Sequence, residues 1–312
     1  MARRAPSDIN LLIAIDKPVG ITSQGAVSRV RRALDERRVG HAGTLDPLAS
    51  GVLVVGVGQG TRVLGLIAQD RKRYLARILF GTETSTDDAE GEVVRSVEPA
   101  SELLDEERAR EVLAGFMGPQ MQVPPTYSAI SVDGRRSDAR ARAGEEVELE
   151  PRPIEVYAAD LIGVEDAGEG PVWTVSFQVS KGTYIRSLAR DIGRAAGGAA
   201  HLAELRRTAS GSVSLGACLP LEGLSRETAR EGALDPVHVL GLPPCLISEA
   251  ALVDVLNGRA LDAGDVAFIG EPPEEGGRVA VVRGGELRAI AELEGGRLRM
   301  KTVFPQGIGG VR

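Results

Sequence analysis

Val39-Gly40-His41-Ala42-Gly43-Thr44-Leu45-Asp46-Pro47-Leu48-Ala49-Ser50-Gly51 sets one carboxylate in a stretch punctuated by glycine and proline, just ahead of the apolar run Leu53-Val54-Val55. Gly40, Gly43, Pro47 and Gly51 interrupt any helical period, so the stretch reads as a loop feeding a buried strand, with Asp46 at the strand's mouth. A carboxylate presented this way suits a nucleophile. The alternative for an Asp-Pro pair is an Asx turn, in which the side chain bonds its own backbone.

Upstream, residues 1–9 read as loosely held, and Leu11-Leu12-Ile13-Ala14-Ile15 forms a short strand ended by Asp16-Lys17-Pro18. The spacing predicts a helix from Ser23 to Leu34, with Ser23 as N-cap and Val27, Val30 and Leu34 on one face. Arg29, Arg31 and Arg32 on that helix suit either phosphate contacts or a solvated face. Downstream, a second helix runs from Thr61 towards Arg71, a strand covers Tyr74–Phe80, and a charged helix covers about 102–113. Trp173–Val179 alternates as a half-buried strand does. It leads to a helix with Ile185, Leu188 and Ile192 on one side and Arg186, Arg190 and Arg194 at four-residue spacing on another. The Pro- and Arg-rich stretch 119–153 reads as an excursion from the core. After a linker-like break at Gly241-Leu242-Pro243-Pro244, short strands around Val266–Phe268, Arg278–Val282, Leu287–Ala291 and Leu298–Val303 fit a small β-barrel.

Further blocks follow one another in a fixed order. They are Ile15-Asp16-Lys17-Pro18-Val19-Gly20-Ile21-Thr22-Ser23; Lys72-Arg73-Tyr74 with Gly81 and the run Thr84-Ser85-Thr86-Asp87-Asp88-Ala89-Glu90-Gly91; Ser180–Leu188; and His201–Thr208. Together with the Asp46 loop they resemble the TruB-type tRNA pseudouridine synthases of the bacterial, stand-alone kind, over nearly the whole chain. The resemblance implies an α+β pseudouridine synthase fold: a large mixed β-sheet with flanking helices, then a small C-terminal PUA-like β-barrel. It divides the chain into a catalytic domain, 1–245, with an RNA-gripping insertion at about 119–153, and an RNA-binding domain, 246–312.

The same resemblance gives the residues their roles. Asp46 is the nucleophile, and Arg186 is its salt-bridge partner, as a buried carboxylate requires an opposing cation. Tyr74 stacks on a flipped-out base and Tyr184 lines the same pocket. Leu205 closes the pocket, its plainer reading being a core leucine on an amphipathic helix. His41 occupies space near the extruded nucleotide. Lys17 supports the catalytic loop or contacts RNA. The implied reaction is conversion of uridine 55 in the T arm of tRNA to pseudouridine, without cofactor, metal, guide RNA or obligate protein partner. Three positions depart from the family pattern: Ser131 where a lysine is usual, Asp138 where a tyrosine is usual, and Ser85 for an acidic residue. The first two weaken an inferred phosphate grip.

Other classes are weighed against this. A guide-dependent synthase of the dyskerin type shares the catalytic block, but the insertion at 119–153 favours the stand-alone type. An RNA-binding or RNA-folding protein would not need Asp46, Tyr74 and Arg186 together. Gly56-x-Gly58-x-Gly60 between a strand and a helix misses the spacing and the distal acid of a dinucleotide fingerprint.

Composition adds bounds. A chain of 312 residues with 43% apolar content can bury a sizeable core. No apolar run is long enough to span a membrane, which places the protein in the cytoplasm by default. Cys218, Cys245 and the three histidines show no disulfide framework and no zinc spacing. The net charge of −7 runs against RNA binding, but residues 1–75 carry twelve Lys/Arg against six Asp/Glu, leaving twenty-five against thirty-eight in 76–312.

Overall fold

The computed structural model describes residues 6–69, 71–127 and 149–312, with the backbone of a short strand pair, β8 (Ser131–Val132) and β9 (Arg135–Arg136). Asp138 and the side chain of Ser131 lie outside the described residues. Contacts divide the chain into two compact units, one of residues 1–47, 51–69 and 210–312, the other of 48–50 and 70–209. Ten strands belong to one mixed sheet and six to a second.

In the first unit, β1 (Leu11–Lys17) runs antiparallel to β3 (Ala49–Val57). After the short β13 (Val213–Ser214), β14 (Cys218–Pro220) pairs with β1 in parallel, and β2 (Val39–Ala42) pairs with β3. β1 and β3 are covered on both faces, which is why their sequences are nearly unbroken apolar runs. One face, with Ile13, Ile15, Leu53 and Val55, packs on Ala26, Val27, Val30 and Leu34 of the helix Ser23–Leu34. The other, with Leu12, Ala14, Val52 and Val54, packs on Val282, Ile290, Phe304 and Ile308 of the C-terminal sheet.

That sheet has the order β16 (Leu261–Asp262), β20 (Arg297–Gly309), β19 (Glu286–Glu294), β18 (Arg278–Arg283), β15 (Pro244–Leu246), β17 (Ala267–Phe268). It is a curled, half-barrel sheet of the PUA-like kind. The thiol of fully buried Cys245 sits in its core, where burial pushes its pKa up to about 12.

In the second unit, β12 (Ala200–Ser210), β4 (Lys72–Phe80), β11 (Pro171–Val179), β10 (Arg152–Asp166) and β7 (Gly118–Gln122) are neighbours in that order. Along β4, Lys72, Tyr74, Ala76, Ile78 and Phe80 alternate inward. Trp173 is fully buried on β11, its ring 4.4 Å from that of Phe80 and its Nε1–H donated to the Leu103 carbonyl at 2.7 Å. A buried indole needs that acceptor. The hairpin β5 (Thr82–Thr84) and β6 (Val93–Ser96) carries the acidic run between its strands.

Several expectations change. The N-cap of the first helix is Thr22, whose hydroxyl accepts from Gly25 N–H at 2.9 Å. Ser23 is instead inside, bonded to Leu45. Residues 7–9 are not loosely held: Ser7 and Ile9 are buried, and the Ser7 carbonyl accepts from Asn10 and Gln306 side chains. The second helix is a 3-10 turn, Gly58–Val63, followed by only one α-turn, Leu64–Ile67. Leu205 lies on strand β12, not on a helix. The Gly56-x-Gly58-x-Gly60 turn has a packing cause. Gly58 has φ +58, and a Cβ there would stand 2.3 Å from Asn10 Oδ1; at Gly60 it would stand 2.2 Å from the Leu11 carbonyl.

Candidate active site

Asp46 is held from both sides by the block that precedes the first helix. The Ser23 hydroxyl donates to the Leu45 carbonyl at 2.9 Å and accepts the Leu45 N–H at 2.7 Å. Gly20 N–H donates to the Pro47 carbonyl at 2.8 Å. The residues before and after Asp46 are thereby fixed, while its own side chain is only half-buried. Rigid flanks are what a reacting group needs. Lys17, completely buried, gives its ammonium to the carbonyls of Pro18 at 2.9 Å and Ile21 at 2.7 Å, bracing the block that grips Asp46. His41 lies half-buried on β2, opposite Val55 of β3.

The second unit holds Tyr74, Tyr184, Arg186 and Leu205. Tyr74 is 9% exposed and faces inward on β4 opposite Phe177; Leu205 is buried on β12. Tyr184 is the residue at which the helix Ile185–Ala195 begins, in extended conformation, and Arg186 stands in that helix's first turn. Arg186, 5% exposed, donates to the carbonyls of Thr86 at 3.0 Å and Tyr127 at 3.1 Å, and its Nε lies 3.6 Å from Asp88 Oδ2.

The four-residue arginine row has a structural explanation that the spacing alone did not disclose. Each member meets a carboxylate of the hairpin β5–β6. Arg190 pairs with Asp87 at 2.7 Å and Arg194 with Glu83 at 2.6 Å, alongside the Arg186–Asp88 approach. The acidic run is shaped for this. Asp87 adopts φ +61, Thr84 and Thr86 hydroxyls bond to Asp88, and Leu202 of β12 exchanges two backbone bonds with Asp87 and Ala89. Ser85, the departure from the family pattern, uses its hydroxyl to accept Glu92 N–H. The Arg194 guanidinium, with Arg95 behind it, holds Glu83 below the usual carboxylate range against the opposing effect of burial. For Asp87 the balance is reversed: burial outweighs Arg190 and Arg186 and raises its pKa to about 6.

Gln122, Arg190, Asp87 and Asp88 were not singled out as site residues from the sequence. Gln122 offered no signal there, lying in the stretch 119–153 expected to leave the core; instead Gly118–Gln122 is strand β7, paired with Arg152–Val156 of β10 in the large sheet. The acidic run and the arginine row were each visible, but their pairing spans about a hundred residues. Arg31 is also clarified: it donates to the Val39 carbonyl at 2.7 Å, while Arg29 and Arg32 are exposed.

Two family models match. "TruB family pseudouridylate synthase (N terminal domain)" covers residues 31–185, and "tRNA pseudouridylate synthase B C-terminal domain" covers 186–240. Curated relatives named tRNA pseudouridine synthase B include one from Corynebacterium aurimucosum, 41% identical over 96% of this chain and 97% of that protein. Another, from Deinococcus radiodurans, is 37% identical over 93% and 98%. Among solved structures, an H/ACA RNP bound to a substrate RNA containing 2′-deoxyuridine matches with TM-score 0.69 at 25% identity, covering 94% of this chain and 84% of that one. A Cbf5-Nop10-Gar1 complex matches with TM-score 0.68 at 26% identity over the same shares. With two consecutive family models over 31–240 and relatives near 40% identity along almost its whole length, the chain belongs to the TruB family of pseudouridylate synthases.

Proposed function

We propose that this TruB-family isomerase converts uridine 55 in the T arm of tRNA to pseudouridine, acting alone and without cofactor or guide RNA. The observation that carries the reading is the two-sided clamp on Asp46 by Gly20 and Ser23, in a loop that belongs to the family's catalytic block. In the reaction, the bond from N1 of the base to the sugar breaks and a bond from C5 to the same sugar carbon forms. N1 gains a proton and C5 loses one, so no redox partner is required. Asp46 is the nucleophile on a flipped-out nucleotide. Arg186 is the cation that opposes it, Tyr74 stacks on the base, and Tyr184, Leu205 and His41 shape the space around it. Residues 1–245 carry the chemistry and 246–312 add RNA contacts, in the cytoplasm, where tRNA is the partner.

The names of the relatives support tRNA as substrate, and their near full-length coverage supports the stand-alone type over the guide-dependent one. The test is to incubate the purified chain alone with a tRNA transcript carrying tritium at uridine C5. The expected result is release of one tritium per tRNA without additives. Release only after a guide RNA or protein partner is added would overturn the stand-alone reading.

A further inference from the structure

Gln122 stands at the end of β7, where the chain leaves the sheet for residues 123–127. Alternation along the edge strand turns Met121 outward, 62% exposed, and Gln122 inward, 2% exposed. A buried amide needs both a donor and an acceptor partner. Gln122 finds both on one residue. Its Oε1 accepts the Tyr184 N–H at 2.9 Å, and its Nε2 donates to the Tyr184 carbonyl at 3.1 Å. The Tyr184 side chain makes no capping bond to the helix, and the Tyr184 carbonyl also accepts the Leu188 N–H that closes the first helical turn. The side chain of Gln122 therefore fixes the backbone orientation at the point where the strand-to-helix loop becomes helix. Two neighbouring bonds act on the same segment, from Arg190 to the Val123 carbonyl at 3.0 Å and from Arg186 to the Tyr127 carbonyl at 3.1 Å.

We infer that Gln122 is a positioning residue for the reaction, setting the direction of the Tyr184 side chain through the two peptide groups of Tyr184 that it grips. The inference rests on the proposed role of Tyr184 in the base pocket. A structural filler would need only to occupy volume. Gln122 instead reads the donor and the acceptor of a single residue, two positions before Arg186, and that specificity of pairing is what a support for a reacting group provides.

The test compares Gln122→Met, Gln122→Glu, Tyr184→Ala and the double variant Gln122→Met/Tyr184→Ala, using single-turnover conversion of a tRNA transcript and a separate measurement of tRNA affinity. Gln122→Met keeps the shape and loses both bonds; it is expected to slow the chemical step about ten- to a hundredfold with tRNA affinity within about twofold. Gln122→Glu keeps the acceptor for Tyr184 N–H but sets a second oxygen against the Tyr184 carbonyl, and is expected to slow the step at least as much as Gln122→Met. In the Tyr184→Ala background, adding Gln122→Met is expected to change the rate by less than about threefold, because the group it acts through is gone. Losses that multiply in the double variant, or Gln122→Met turning over at the wild-type rate, would overturn the inference. Should Gln122→Met fail to fold by circular dichroism, Gln122→Glu decides, and a wild-type rate there overturns it. If Tyr184→Ala alone turned over normally, the pocket role of Tyr184 would fall and this inference with it. A slow Tyr184→Ala beside a normal Gln122→Met would sink only the role of Gln122.

Discussion

Asp46 depends on a serine hydroxyl twenty-three residues earlier. Ser23 satisfies the N–H and the carbonyl of Leu45 in a buried setting, so Ser23→Ala leaves both groups unmatched. Its expected cost is about 1–3 kcal/mol of unfolding free energy, because buried polar groups without partners carry their desolvation penalty. Urea denaturation reads this directly, and an unchanged midpoint would contradict the clamp. The loop around Asp46 was legible in the sequence because glycine and proline crowd it. Ser23 was legible only as a polar residue at a helix start, where the N-cap rule pointed to it one position too late. Thr22 takes the cap, and the inward turn of Ser23 answers a backbone need on a distant loop that no local rule contains.

Among the elements, the hairpin β5–β6 and the helix Ile185–Ala195 meet through three arginines and three carboxylates. Asp87 is where burial outweighs pairing, and its pKa of about 6 stands above the ordinary 3.8. The folded chain therefore holds this proton when the unfolded chain has lost it. Stability from this group is present at low pH and lost as pH rises from about 4 to about 6.5. Asp87→Asn, which also tolerates the left-handed backbone at this position, removes that slope. The melting temperature of wild type is expected to fall relative to Asp87→Asn across that window, with a constant difference above it. A difference that stays flat from about pH 4 upward would show that Asp87 ionises normally. The element types here were readable: alternation gave β11, the four-residue arginine row gave the helix face, and the Leu53-Val54-Val55 run gave β3. What the arginines face was not, since the partners lie on a turn about a hundred residues away. Leu205 likewise changed from helix to strand, as a short apolar-polar segment has no decisive period.

Across the whole molecule, the charge is negative overall but positive over residues 1–75. RNA affinity is expected to fall steeply with salt despite the net −7, following the local charge. Arg29→Ala and Arg32→Ala, both exposed, are each expected to reduce the salt slope by about 1. Arg31→Ala is expected to weaken folding instead, because its guanidinium holds the Val39 carbonyl. Equal effects of all three on the slope would contradict that division. The mixed α+β composition and the C-terminal strand series were legible from order and spacing, and the family from the blocks that resemble it. The grouping of residues 210–312 with the N-terminal strands was not, because it follows from packing of Val282, Ile290 and Phe304 on the face that Leu12 and Val54 present.

The most direct measurement maps pseudouridine at single-nucleotide resolution in an unmodified tRNA transcript after incubation with wild type or Asp46→Asn, with tRNA binding measured for both. The account predicts a single new pseudouridine in the T loop, at position 55, with wild type, and none with Asp46→Asn, which still binds the RNA. Conversion by Asp46→Asn, or wild type that binds tRNA and leaves its T-loop uridine unchanged, would contradict it.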